Sequence, residues 1–256
     1  MRFYLTFFLF AVFSCVSTAN AQDTRQKQLL GLHYIPATYE SLSRVSWRFG
    51  VNPLSSDRAI DYYLQITDCP LYKDYFENDF LWQRIREGKR REIKYYAPNY
   101  PDRFEMIGAI ELGRYDFASS AFVVPEKFRL NKAGFLEIPV LNNFKNECVG
   151  FNKRYAEFPP FIGLAADNPF DLNKIPVPPN EAKPLIERLS QKKYINAQSD
   201  RIVVVRVRVH MSGIKEHDKD SVLPRLIFKG QLDEIAVFED LAMTKVIWQK
   251  NFKALD

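Results

Sequence analysis

Arg206, Arg208 and His210 alternate with Val205, Val207 and Val209 within residues 201–211, so a strand places all three basic side chains on one face at a spacing of about 6.7 Å. Two guanidinium groups and an imidazole in such a row suit a carboxylate, a phosphate or a sulfated sugar, which makes Arg206, Arg208 and His210 the candidate anion site. The competing arrangement turns the same face toward water or toward acids of a neighbouring strand, such as Glu234 or Asp233. The remaining candidates for chemistry are weaker. No Gly-x-Ser-x-Gly elbow, phosphate loop or His-Glu-x-x-His pair occurs, and the two Ser-x-x-Lys spacings, at Ser190 and Ser212, lack the companion elements of penicillin-binding enzymes. The chain has three histidines, His33, His210 and His217, and the polar run around His217 and Asp218 reads as a solvated turn. No catalytic residue, metal site or cofactor is therefore expected. Cys69 and Cys148, outside any Cys-x-x-Cys motif, are the candidate disulfide.

These side chains need elements to hold them. Val203, Val205, Val207, Val209 and Met211 form an unbroken apolar face opposite the basic one, so residues 201–211 predict a strand with one side on a core. Phe104, Met106, Gly108, Ile110 and Leu112 alternate in the same way. Shorter strands are expected at 121–124, 135–141 and 161–165, a longer one at 226–238 with a slip of phase at Gly230, and a closing hairpin at 245–250. Upstream the period changes from 2 to 3.6. Ser55 or Ser56 caps a helix carrying Ile60, Tyr63 and Leu64, which Pro70 should end, and a second helix is expected over 71–94 with Tyr72, Phe76, Phe80 and Ile85 on its apolar side. That second stretch holds the densest basic run, Arg84, Arg86, Lys89, Arg90, Arg91 and Lys94 followed by Tyr95 and Tyr96, interleaved with acids that favour a solvated face. Residues 159–184 hold seven of the fifteen prolines and read as a long surface connection into an amphipathic helix with Asn180 as its cap and Ala182, Leu185, Ile186 and Leu189 on one side. The sum is an α+β fold, a helical layer over residues 22–98 packed with an antiparallel sheet or sandwich over 99–256, as a single domain.

The first 21 residues have the form of a secretory signal peptide: Arg2, an apolar run, and Ala19-Asn20-Ala21 before Gln22. A lipid anchor on Cys15 is the less favoured alternative, because Phe13 fits that motif poorly. With 36 basic and 31 acidic residues the net charge of +5 is modest and interleaved, which argues against a nucleic-acid partner while allowing weak attraction to an anionic polymer or a membrane surface.

Gly113-Arg114-Tyr115-Asp116-Phe117 after a strand, residues 175–182 (Ile-Pro-Val-Pro-Pro-Asn-Glu-Ala) opening a helix, and the valine-rich strand beyond it together resemble a family of uncharacterised secreted bacterial proteins, the domain of unknown function numbered 4852, over roughly 104–248. The resemblance implies export and a shared fold, and carries no catalytic residue with it. The functional expectation is a periplasmic or secreted, non-enzymatic module that binds an envelope component or a protein partner through a sheet edge or a basic face. A hydrolase of envelope polymers with carboxylates assembled by the fold, and an exported effector acting through the basic helix, are the alternatives.

Overall fold

Two long strands rich in β-branched residues, β9 (Ile202–Asp218) and β10 (Arg225–Phe238), pair antiparallel along their whole length and form the middle of the main sheet. The computed structural model describes residues 33–126, 131–132, 135–138, 148, 161–168, 170–191, 201–218 and 225–252. The leader expected over residues 1–21 lies outside them. The elements below all belong to the unit Ile35–Asp256.

Beside β9 runs β2 (Arg103–Glu111), antiparallel, and β2 in turn takes β1 (Ile35–Pro36) as a short parallel neighbour. On its other side β10 has two partners in succession. β7 (Phe161–Ala166) pairs parallel with Arg225 to Gly230, and β11 (Val246–Asn251) pairs antiparallel with Glu234 to Phe238. In the gap between them the Asn168 side chain takes the place of a strand backbone: its Nδ2 donates to the Leu232 carbonyl at 2.9 Å and its Oδ1 accepts from the Leu232 amide at 2.8 Å. Beyond β7 lie β6 (Phe135–Glu137) and β5 (Asn131–Lys132). A second, three-stranded sheet consists of β3 (Tyr115–Asp116), β4 (Ala121–Val123) and β8 (Lys174–Pro176).

Period-two alternation sends Val203, Val205, Val207, Val209 and Met211 of β9 into one core with Phe104, Met106 and Ile110 of β2 and Leu226, Phe228, Ile235 and Val237 of β10. Each such side chain, fully buried, contributes roughly 1.5–3 kcal/mol relative to exposure. The β9–β10 register shifts three times, between Ile227 and Phe228, between Lys229 and Gly230 and between Leu232 and Glu234. The first two leave an extra residue on β9, and the third leaves one on β10 and so moves its inward face from Leu226, Phe228 and Leu232 to Ile235 and Val237. The shift at Gly230 requires glycine, because a Cβ there would lie 2.2 Å from the His210 carbonyl oxygen. Yet the extra residue is on β9, and the change of phase expected in β10 at Gly230 falls at Asp233 instead, since Leu232 still faces the core with Leu226 and Phe228.

Helix α5 (Pro179–Ser190) covers part of this core with Ala182, Leu185 and Leu189. The other helices build a second core. α1 (Tyr39–Arg48), α2 (Asp57–Thr67), α3 (Cys69–Tyr75) and α4 (Asp79–Tyr96) surround Trp47, Ile60, Tyr63, Leu64, Trp82 and Ile93. α1 joins the two, since Leu42 and Val45 enter the sheet core while Trp47 enters the helical one. The disulfide Cys69–Cys148 is present, and the Gln65 side chain donates to the Cys148 carbonyl at 2.6 Å.

The α+β class expected from the pattern is the class observed, and five further local expectations are corrected. Pro70 does not end a helix; α2 stops at Thr67 and Pro70 sits in the first turn of α3, where its missing N–H has no partner to lose. The single helix expected over 71–94 is two, because the Asn78 side chain accepts from the Leu81 amide and starts α4 afresh. Proline-rich residues 159–184 are less of a surface connection than a source of β7 and β8, with Leu172, Ile175 and Val177 buried. Asn180 is not the cap of α5; the cap position is Pro178, without a side-chain bond. The polar run at 215–218 is no turn, since β9 continues through Asp218 opposite Arg225. The sheet is also mixed and not wholly antiparallel, owing to β1 on β2 and β7 on β10. Part of the expected strand at 135–141 lies outside the described residues.

Candidate functional site

Arg206 and Arg208 do share a face of β9, as their spacing requires, and the neighbouring strands place a carboxylate on either side of them. Register puts Glu105 of β2 opposite Arg208 and Glu234 of β10 opposite the same residue from the other flank. Arg206 donates through Nε and Nη2 to Glu234 Oε1, at 3.0 and 2.7 Å. Arg208 donates through Nε to Glu105 Oε2 at 2.8 Å and through Nη1 to Glu234 Oε2 at 3.3 Å. Gln249 of β11 gives a further bond to Glu234 Oε2 at 3.3 Å, so both oxygens of this carboxylate are engaged. Glu234 is almost wholly buried, with its side chain 3% exposed, and two charged donors compensate its loss of water. The Arg206 guanidinium also lies 4.9 Å over the Phe238 ring, next to the small apolar cluster of Val204, Ala236 and Phe238 on this face.

The ladder extends past His210. Its Nε2 lies 3.5 Å from Asp102 Oδ2, which Arg48 of α1 approaches at 2.7 Å, and Arg103 donates to Asp233 Oδ2 at 3.0 Å. Asp233 and Glu234 both face this row because the register shift between Leu232 and Glu234 sets two residues of β10 against one. Four arginines, three on β2 and β9 and Arg48 on α1, therefore meet four carboxylates along this row. Of the two arrangements open to the basic face, the structure adopts the one in which acids of neighbouring strands hold it. Chemically such a row fixes strand register; a ligand anion would have to displace a bound carboxylate to enter.

The basic run of α4 is divided differently. Trp82 and Ile93 face inward, and the cations flanking that buried side are all engaged. Arg86 holds Asp61 of α2 through two bonds, at 2.7 and 2.5 Å, and that hydrogen bonding to Asp61 is the main reason its guanidinium is raised above the ordinary arginine value. Asp61 also accepts from the Trp82 indole at 2.8 Å. Arg90 bonds Asp57 and, at 2.9 Å, the Leu54 carbonyl, while Lys89 meets Glu92 at 2.6 Å. Nearby, burial and then a hydrogen bond with Tyr100 push the Tyr63 hydroxyl well above the usual tyrosine range.

On the opposite side of α4 lie Phe80, Arg84, Glu87, Arg91, Lys94 and Tyr95, at positions i, i+4, i+7, i+11, i+14 and i+15. Phe80 is 87% exposed and Tyr95 73% exposed. Arg84, Arg91 and Lys94 are exposed and have no ion pair among the described residues. The exposure of Phe80 is a further correction: it was expected on the buried side with Tyr72 and Phe76, and the break after Tyr75 rotates it outward. Tyr72 and Phe76 do pack on Trp82, with ring centroids 5.5 Å away in both cases.

The two motifs around Tyr115 and Val177 meet in the small sheet. Tyr115 donates its hydroxyl to the Val177 carbonyl at 2.7 Å, and a Cβ at Gly113 would lie 2.7 Å from the Val123 carbonyl oxygen. Asp116 accepts from Ser119 at 2.6 Å, from Lys174 at 2.9 Å and from the Ala118 amide at 3.0 Å; these bonds, Ser119 first, hold its carboxyl well below the usual carboxylate range. Their role is to shape a turn.

The sequence profile of the family described as Domain of unknown function (DUF4852) matches residues 55–188. The chain belongs to that family. The DUF4852 match takes in α2 through α4, the small sheet and nearly all of α5, beginning earlier than the resemblance suggested and ending before β9. Both the basic helix and the Tyr115 motif thus lie inside it, whereas Arg206, Arg208 and His210 lie outside. Comparison with curated proteins gave no match, and neither did comparison with solved structures. Among the described residues no helix is long and apolar enough to cross a membrane, and no three His, Cys, Asp or Glu side chains group as metal ligands.

Proposed function

We propose that this DUF4852 protein is an exported, non-enzymatic module of the bacterial envelope that attaches to an anionic component through the outer side of α4. The observation that carries this reading is the division of charge on that helix: every inward cation has a protein partner, and the outward Arg84, Arg91 and Lys94 stand unpaired between Phe80 and Tyr95. Export is supported by the leader-like first 21 residues and by a disulfide, a bond that persists in oxidising compartments. On this reading the Arg206, Arg208 and His210 row orders the sheet and is not the recognition surface. A hydrolase would need carboxylates open to substrate, and Glu234 has both oxygens committed to protein donors.

The test compares the processed protein with R84A/R91A/K94A for retention on isolated envelope fractions at low salt, with circular dichroism as the control for folding. The triple variant should be folded and lose retention; retention equal to the parent protein defeats the reading. Mass measurement of the same material checks cleavage after Ala21.

A further inference from the structure

We infer that the anionic component is the surface of a phospholipid bilayer, with α4 lying parallel to it; this rests on the reading above and narrows it to one partner. Three features of the outer row select a lipid surface over a polymer. The row is straight and long, with Phe80 and Tyr95 about 22 Å apart along the axis at 1.5 Å per residue, and it occupies the convex side of a helix. A flat sheet of headgroups can meet all of it at once. Its ends are aromatic and highly exposed, and tyrosine in particular settles at a membrane interface with its ring toward the acyl chains and its hydroxyl among the headgroups. The row itself holds only three unpaired cations, Arg84, Arg91 and Lys94. A nucleic-acid duplex is typically gripped through about six to ten phosphate contacts, which this row does not offer.

The helix is held ready for such a contact. Burial of Trp82 and Ile93 and the bonds from Arg86 to Asp61 and from Arg90 to Asp57 fix its rotation, so docking requires no refolding. Glu87 is the single acid in the row and opposes the attraction. Near an anionic bilayer each basic residue strengthens binding about 5-fold, so the face as a whole gives weak, reversible attachment that falls with salt.

The experiment is co-sedimentation of the processed protein with vesicles of phosphatidylglycerol and phosphatidylcholine, with vesicles of phosphatidylcholine alone, and retention on a heparin matrix. Of the two vesicle types only the mixed one is expected to bind, reduced on the order of 100-fold in R84A/R91A/K94A and increased about 5-fold in Glu87→Gln, with weak retention on heparin. F80A/Y95A should weaken vesicle binding and leave heparin retention unchanged. The gain in Glu87→Gln keeps the test decisive even if a loss variant folds poorly. Equal binding to both vesicle types overturns the inference. Heparin retention that the triple variant abolishes, without vesicle binding, overturns the lipid assignment and leaves the anionic-component reading standing. Binding to neither overturns both.

Discussion

Two stretches of this chain are basic on paper, and the fold treats them oppositely. On β9, a period of two lines Arg206, Arg208 and His210 up on one side, where adjacent strands about 5 Å away can supply partners; Glu105 and Glu234 hold the two arginines, and Asp102 lies 3.5 Å from His210. On α4, a period of 3.6 spreads the cations around the axis. Only those near the buried side can reach Asp57 and Asp61 of α2, and the remainder face outward. A strand in the middle of a sheet closes its own electrostatics, whereas a helix at the surface leaves half of its charge for something else.

Four measurements break or sharpen that contrast. The largest effect should come from the bond that fastens the helical region: C69A/C148A is expected to lose about 4.5 kcal/mol by the chain-entropy relation for a separation of 79 residues, measured by urea unfolding against the oxidised parent. If hydrogen exchange then shows β9 loosening as much as α2 and α4, the two regions are not as independent as their separate cores imply. Next, Glu234→Ala should cost about 3 kcal/mol in the same assay, because two partly buried guanidiniums lose their common acceptor; a cost near zero would mean the ladder is decorative. On the helix, Gly88→Ala should raise stability by about 0.5–1 kcal/mol, since a Cβ there meets nothing within 4 Å. This variant stiffens α4 without touching its outer row. The smallest effect concerns Asp116, whose pair with Lys174 is exposed. Its carboxyl is depressed on folding, so its contribution is present above the unfolded value of about 4 and is lost as pH falls toward the folded one. An NMR titration should show a midpoint below that of an ordinary aspartate, moving upward in Lys174→Ala.

How far this was legible in the sequence follows from the range of the interactions. The valine face of β9 needs only its own alternation to be read, whereas the phase slip of β10, expected at Gly230, falls at Asp233, because it depends on the pairing with β9. The partners of Arg206 and Arg208 depend on register between strands distant in sequence: Glu234 was within reach of a guess and Glu105 was not, because nothing local says that β2 lies beside β9. The two-helix division was readable in principle, from Asn78 followed by Asp79 at a helix start, and missing it turned Phe80 inward. The outer row of α4 was visible only as composition. Which of its cations would stay unpaired depended on where α2 placed Asp57 and Asp61, a matter of packing.

Asn168 carries a consequence of another kind. Because its amide stands in for a missing stretch of strand at Leu232, the main sheet has an unbroken ladder there without an unbroken neighbour. β7 and β11 are thus two separately anchored panels hung on one rail, and a single side chain keeps the joint between them shut. Aspartate at this position keeps the acceptor and forfeits the donor, so the joint would stand half open to solvent in the middle of an otherwise sealed sheet.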